Sequence, residues 1–292
     1  MIWENQRSPG SIPVKLAAQF LEVSKSGYYT WLSMRGIDAR AARNRPIVEE
    51  MKKIILRYPG YGYRRITREL WNHGYPVNHK RVLRLMQLHG LTIKRRRFKI
   101  ITTDSEHDNP VYPNLVLGLK ITKPNQVWAS DFTYIQLKDR YVYLAVELDL
   151  YSRRILGWAL GPSLDADLAL RALHMALYYR RHDNISGLIH HADQGTQFTS
   201  FAYTQCLRNH GIQISNSRRA NPYDNAFVET FFKTLKSEEV YQNEYETVEE
   251  AYKNIKWFIE EIYNETRMHS ALGYISPTEF ERQRQFHKVA SL

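Results

Sequence analysis

The chain has 292 residues, 43% of them apolar and 13% aromatic, with a formal charge of +11. That is enough chain and apolar content to bury a sizeable core, which excludes a disordered polymer. Its one cysteine, Cys206, excludes an internal disulfide framework or a multi-cysteine zinc finger and fits a reducing, cytoplasmic setting.

No run approaches the roughly 20 apolar residues of a membrane helix, and polar Met1 to Gly10 lacks the apolar centre of a signal peptide, so no membrane partner is expected. The charge is uneven: residues 1–100 hold 21 Lys and Arg against six Asp and Glu, whereas the rest hold 20 against 24. A basic third joined to a mildly acidic remainder implies a polyanion-binding module on a different machine.

In chain order, residues 1–43 carry two short helical patterns. Val14, Leu16, Ala17, Phe20 and Leu21 suit one face, Ser24 to Gly27 break it, and Tyr28, Tyr29, Trp31 and Leu32 resume, the outline of a helix-turn-helix. Residues 44–100 repeat the theme. Val48, Met51, Ile54 and Ile55 form a stripe ending at Tyr58-Pro59-Gly60, and a second helix runs from Tyr61 through Arg64, Arg65 and Ile66 to Trp71. Asn78 is placed to cap a third, with Val82, Leu85 and Met86 on one side and His79, Lys80, Arg81 and Arg84 on the other. Three short helices with a basic last one suit DNA binding through the major groove, and an ordinary bundle with a solvated basic face is the competing reading. Lys94, Arg95, Arg96 and Arg97 follow as a run suited to gripping phosphates without reading sequence.

Residues 101–122 lose periodicity and contain Pro110 and Pro113, so they read as a linker. From 123 to 240 apolar stretches come in quick succession. Val127–Leu137, Tyr141–Tyr151 and Ile155–Leu160 predict three antiparallel strands, Asp165–Arg181 a helix, Leu188–His191 a strand, Ser200–Asn209 a helix, Ile212–Ser215 a strand and Asn225–Ser237 a helix. Val248–Asn264 continues as helix within a C-terminal extension, 241–292. The order describes a mixed α/β fold, a sheet flanked by helices, behind an all-α region.

Three carboxylates stand out by their surroundings. Asp131 interrupts the apolar run Trp128-Ala129-Ser130-Asp131-Phe132-Thr133-Tyr134 in mid-strand, where burial costs several kcal/mol unless the charge is paired or bound to a cation. Asp193 ends a strand in His190-His191-Ala192-Asp193-Gln194-Gly195, and Glu229 lies among Phe227, Val228, Phe231 and Phe232. Three carboxylates with no cysteine cage call for a hard cation, and Mg²⁺ favours oxygen ligands and substrate phosphates. Two such ions can activate a nucleophile and stabilise the leaving oxygen of a phosphoryl displacement. Zinc at His190-His191 is disfavoured, because adjacent strand residues point to opposite faces. No Gly-x-Ser-x-Gly elbow occurs, and Cys206 fits a helix core, so a Ser or Cys nucleophile is disfavoured too.

"WASDFTY", "HADQGTQF" and "NPYDNAFVETFFKTLKSE", with 35 residues between Asp193 and Glu229, resemble the catalytic motifs of the retroviral-integrase superfamily of DDE recombinases. "LEVSKSGYYTWL", "YPGYGYRRITREL", "VNHKRVLRLMQLHGL" and "YNETRMHSALGYISPTEF" extend the resemblance over nearly the whole chain, to OrfB-type transposases of bacterial two-frame insertion sequences. The resemblance implies a ribonuclease-H-like catalytic core and DNA transposition. It makes Asp131, Asp193 and Glu229 ligands of Mg²⁺ or Mn²⁺, two ions per site, and makes Lys236 a DNA-holding residue. A solvated Lys236 is the alternative. Gln194, Gly195, Asn221, Tyr223 and Asn225 match positions that shape the flanking loops, and Arg267 and His269 match the terminal signature, either touching DNA or bracing the fold. The implied partners are the inverted-repeat ends and target DNA, further copies of the chain, and an upstream-frame protein or fusion. The implied chemistry cuts and joins strands, with transfer between element ends and a circular intermediate, in the bacterial nucleoid.

Overall fold

A computed structural model describes residues 12–34, 39–93, 109–218 and 225–289. Five helices come first: α1 (Val14–Phe20), α2 (Lys25–Met34), α3 (Ala39–Arg57), α4 (Tyr63–Asn72) and α5 (His79–Leu88). Asn78 caps α5 as the sequence predicts, its Oδ1 accepting from the Lys80 backbone N–H at 2.8 Å. The α5 stripe of Val82, Leu85 and Met86 is buried against Val48, Met51 and Ile54 of α3 and Ile66 and Leu70 of α4. Each such side chain contributes about 1.5–3 kcal/mol. Exposed pairs such as Lys52 with Glu49 at 3.0 Å add tenths, so the apolar stripe holds the helices together.

The helix α3 starts earlier than the sequence suggests. A proline in a helical pattern favours the first turn, yet α3 begins at Ala39 with Pro46 inside it, and so runs across residue 43, where the helical patterns of the sequence divide. The turn before Pro46 is braced from outside. Arg81 donates to Asn44 Oδ1 from Nε at 3.0 Å and from Nη2 at 2.6 Å.

The second region is built on five strands: β1 (Val127–Gln136), β2 (Tyr141–Asp149), β3 (Ile155–Gly161), β4 (Ile189–Ala192) and β5 (Gln213–Asn216). Their order is β3-β2-β1-β4-β5. The first three are antiparallel, with Asp131 opposite Val146, and β4 and β5 join in parallel, with Trp128 opposite His190. This mixed sheet has the ribonuclease-H-like arrangement expected. Between the strands run α6 (Ala166–Tyr179), a short α7 (Thr196–Thr199) and α8 (Phe201–Asn209), followed by α9 (Ala226–Glu238), α10 (Val248–Trp257) and α11 (Pro277–Val289).

The period of two along each strand divides the sheet. Ala129 and Ile135 of β1 with Val142, Leu144, Val146 and Leu148 of β2 pack toward α9 and α10, and the apolar residues of the N-terminal helices share that cluster. Trp128, Phe132 and Ala145 pack toward α6 and α8. Asp131 shares the parity of Ala129 and Ile135, so the same alternation that builds the core aims its carboxylate at the α9 side.

Two stretches differ from expectation. The segment from 109 to 116 has no regular structure, as a linker should, but it is pinned: Tyr112 and Leu115 donate backbone N–H groups to Asn216 Oδ1 and Ser215 Oγ of β5, both at 2.9 Å. The helix predicted to run to Asn264 ends as α10 at Trp257 and continues as a π-helical stretch, Phe258–Thr266.

Candidate active site and nucleic-acid interface

The three singled-out carboxylates come from three elements. Asp131 lies in mid-β1, Asp193 follows the end of β4, and Glu229 occupies the first turn of α9. Burial pushes the Asp131 carboxyl well above the ordinary range, and the negative charges of Asp193 and Glu229 push the same way, so the chain brings the three within electrostatic reach. Among the described residues no three His, Cys, Asp or Glu side chains meet closely enough to enclose a metal ion.

Local bonds orient the first two. Asp131 Oδ1 accepts the Phe132 N–H at 2.7 Å. Asp193 Oδ1 accepts the Gly195 N–H at 2.9 Å, and Asn216 Nδ2 holds the Asp193 carbonyl at 3.0 Å. Gly195 leaves these side chains in place: a Cβ there would sit 2.9 Å from both Asp193 Oδ1 and Gln197 Oε1, so one of the two would have to shift. Gln194 turns its amide to the Ser217 carbonyl at 3.0 Å. Glu229 is half-exposed and pairs with Lys233 one turn on, at 3.1 Å. Such an exposed i,i+4 pair is worth only about 0.3–0.5 kcal/mol, so Glu229 is easily drawn elsewhere.

Lys236 lies on the same helix two turns from Glu229, with Nζ 3.7 Å from the Tyr134 ring centre. Burial pulls its ammonium down to about 8. Asn225 and Ser130 tie α9 to β1 through a 3.2 Å bond from Asn225 Nδ2 to the Ser130 carbonyl. Asn221 and Tyr223 lie outside the described residues, as do Lys94, Arg95, Arg96 and Arg97.

On the helical region, Lys80, Arg84 and Arg64 are exposed, and Arg64 stacks on Tyr63 with 5.6 Å to the ring centre. Arg81 and Arg84 line an open cleft of about 250 Å³ with Arg43 and Asn44. Arg65 has a different place from the one the sequence suggests. It is half-buried over the Tyr61 ring at 5.6 Å, near Glu238 and Arg267, and burial lowers its pKa. Position 65 flanks the inward face that Ile66 and Glu69 bury, which basicity alone does not reveal.

Arg267 and His269 brace the fold. Arg267 donates to both carboxylate oxygens of buried Glu238, from Nε and Nη2 at 2.7 Å each, and Tyr61 Oη accepts the Met268 N–H at 2.8 Å. His269 stands edge-on to Tyr263 at 4.8 Å, and burial together with Arg267 and Arg65 holds its pKa well below normal. Glu238 ends α9, so one joint ties the helical region, the Glu229 helix and the C-terminal extension together.

A group missed by sequence reasoning lies beneath the sheet. Glu147, His190 and Tyr203 are buried together: Tyr203 Oη donates to Glu147 Oε1 at 2.8 Å, and His190 Nε2 lies 3.1 Å from Glu147 Oε2. The only sequence signal was an acid in the buried parity of β2. His191 Nδ1 meets Ser215 Oγ at 2.9 Å instead, so the adjacent histidines have partners on different elements.

The integrase core domain profile matches residues 121–222, a second integrase core profile matches 210–277, and an HTH-like domain matches 42–99. The first two ranges hold Asp131 and Asp193 in one and Glu229 in the other. The chain is 42% identical to the transposase for insertion sequence element IS904 of Lactococcus lactis, over 80% of this chain and 92% of that protein. It is 37% identical to the IS600 uncharacterized 31 kDa protein of Shigella sonnei over 94% of this chain and 99% of that protein, and 34% identical to the InsF transposase of IS3A in Escherichia coli, over 95% and 97%. Among solved structures it is similar to the catalytic core domain of BIV integrase at 21% identity, over 56% of this chain and 99% of that one, with a TM-score of 0.40, too distant to add to the assignment. With an HTH-like domain ahead of an integrase core and relatives this similar along nearly their whole length, the chain belongs to the transposases of bacterial insertion sequences.

Proposed function

We propose that this transposase cuts and joins DNA strands at insertion-sequence ends with Asp131, Asp193 and Glu229 as its catalytic carboxylates. The observation that carries the reading is that burial, with the charges of Asp193 and Glu229 adding to it, raises the Asp131 carboxyl where β1, the end of β4 and α9 meet. The donor set suits a hard cation: all three are carboxylates, and their repulsion is what a divalent ion would relieve. When bound, Mg²⁺ or Mn²⁺ would make a water or a 3′-hydroxyl nucleophilic and neutralise charge on the phosphate under attack.

The chain's own groups do the rest. The backbone bonds to Asp131 and Asp193 fix which oxygens face the site, and Glu229 gives up a weak ion pair to join them. Lys236, held over Tyr134, presents a cation to the phosphodiester beside the cut. Attack of water on phosphorus breaks the bond to the 3′ oxygen and leaves a 3′-OH. That hydroxyl then attacks a second phosphodiester, forming one P–O bond as another breaks, with no protein–DNA covalent bond. Arg43, Arg81 and Arg84 give the helical region an open basic cleft that can meet backbone phosphates, and Lys80 and Arg64 extend the basic surface. Two ends must be brought together, so the working form is a multimer on DNA, with an upstream-frame protein or fusion as a further partner.

The test is cleavage and joining of labelled DNA bearing the flanking inverted repeats, with Mg²⁺ or EDTA. Metal-dependent joined product that disappears in Glu229→Gln supports the reading. Cleavage without joining would reduce it to a nuclease, and tight binding without either, even with the upstream-frame product added, would point to a repressor.

A further inference from the structure

Asn225 occupies the N-cap position of α9, where an asparagine ordinarily turns its side-chain oxygen to the first free N–H groups of its own helix. Here it makes no cap bond. Its amide Nδ2 reaches across to β1 and donates to the Ser130 carbonyl at 3.2 Å, while Oδ1 lies buried with no hydrogen-bond partner. The amide cannot be flipped, since that would set two carbonyl oxygens against each other. Asn225 itself is 8% exposed. Forgoing a cap and burying an unpartnered acceptor both cost stability, so this side chain is not placed for the sake of the fold.

What the bond connects is specific. Ser130 is the residue before Asp131, and its hydroxyl is fixed to the Val146 carbonyl at 3.0 Å, so its carbonyl is a rigid anchor. Asn225 is one helical turn before Glu229. A single hydrogen bond therefore ties the backbone next to the first carboxylate to the turn that carries the third. We propose that Asn225 is a positioning residue that sets the spacing of Asp131 and Glu229, so that both can share one divalent cation. This rests on the carboxylate reading above.

The experiment compares wild type with Asn225→Ser, Asn225→Asp, Asp131→Asn and Glu229→Gln in the full chain. Serine and aspartate both cap helices well, but the shorter serine hydroxyl does not reach the Ser130 carbonyl and an ionised aspartate has no proton to donate to it. Three readouts are taken: Mn²⁺ affinity by electron paramagnetic resonance, thermal midpoint in EDTA, and affinity for inverted-repeat DNA in EDTA. The expected result is a midpoint equal to or above wild type and DNA affinity within twofold for both Asn225 variants. Mn²⁺ affinity should fall at least tenfold in Asn225→Ser, and the Mg²⁺ concentration for half-maximal cleavage should rise by the same factor.

Mn²⁺ affinity within twofold of wild type in Asn225→Ser, while Asp131→Asn and Glu229→Gln lose it, would overturn the positioning role and leave the carboxylate reading intact. Undiminished affinity in all the variants would overturn both. A lowered midpoint in Asn225→Ser and Asn225→Asp alike would make the residue a structural brace and overturn the proposal. Should Asn225→Ser fail to fold, Asn225→Asp carries the same comparison through its midpoint and its Mg²⁺ requirement.

Discussion

The joint around Gly60 offers the sharpest test of how the helical region is seated. A Cβ on Gly60 would lie 2.5 Å from Glu238 Cδ and closer still to Cγ and Oε1. Glu238 cannot simply swing aside, because both its oxygens hold the Arg267 guanidinium at 2.7 Å and both side chains are 3% exposed. If the joint yields by backbone shifts, Gly60→Ala costs about 1–3 kcal/mol, the usual range for overpacking. If instead Glu238 leaves and strands Arg267, the cost rises to about 3–5 kcal/mol, that of a buried charge without its partner. Urea unfolding of the metal-free chain, followed by circular dichroism, measures the loss. Gly62→Ala is the control, with nothing within 4 Å of its Cβ, and should cost less than about 1 kcal/mol for a poorer helix cap. In a Glu238→Ala background the Gly60→Ala penalty should shrink by about 1 kcal/mol or more, since the clashing carboxylate is gone. A Gly60→Ala chain within about 0.5 kcal/mol of wild type would refute the reasoning and mean that the helical region is loosely hung.

Other consequences follow from charge. The Asp131 carboxyl titrates higher folded than unfolded, so the folded chain binds the extra proton and metal-free stability falls as pH rises above about 4. Asp131→Asn should remove part of that fall and be the more stable chain in EDTA at pH 7, read from urea midpoints; a less stable variant would contradict the strain. Lys236 titrates at about 8 in the folded chain, so its hold on DNA should fade as pH rises through that value. Lys236→Gln should flatten the pH dependence of DNA affinity between pH 7 and 9, while Lys236→Arg keeps affinity constant there. Arg81→Ala and Arg84→Ala should each lower the slope of log affinity against log salt by about 0.9 if each meets a phosphate. Arg65→Ala should leave the slope alone and lower stability instead, because Arg65 faces Tyr61 and Glu238. Tyr203→Phe leaves buried Glu147 without one of its donors and should cost about 1–3 kcal/mol of stability.

Much of this was written in local pattern. The alternation of Val142, Leu144, Val146 and Leu148, the stripe of Val82, Leu85 and Met86, and the Asn78 cap each depend on neighbours a few residues away, so strands, helices and the α5 boundary could be read directly. Asp131 was conspicuous because an acid in mid-strand breaks an apolar run. What could not be read depends on chain segments far apart. Arg65 and Arg64 are adjacent and equally basic, yet one faces solvent and the other a joint that closes only when residues 60, 238 and 267 meet. Glu147 looked like any acid until His190 and Tyr203 were seen around it. Arg81 bonds Asn44, just ahead of Pro46, from 37 residues away, and the Asn225 amide finds the Ser130 carbonyl from 95 residues away. Periodicity reports which face of an element is apolar. Which polar side chain finds which distant partner is settled by long-range packing, where the cost of burying an unpaired charge selects the arrangement.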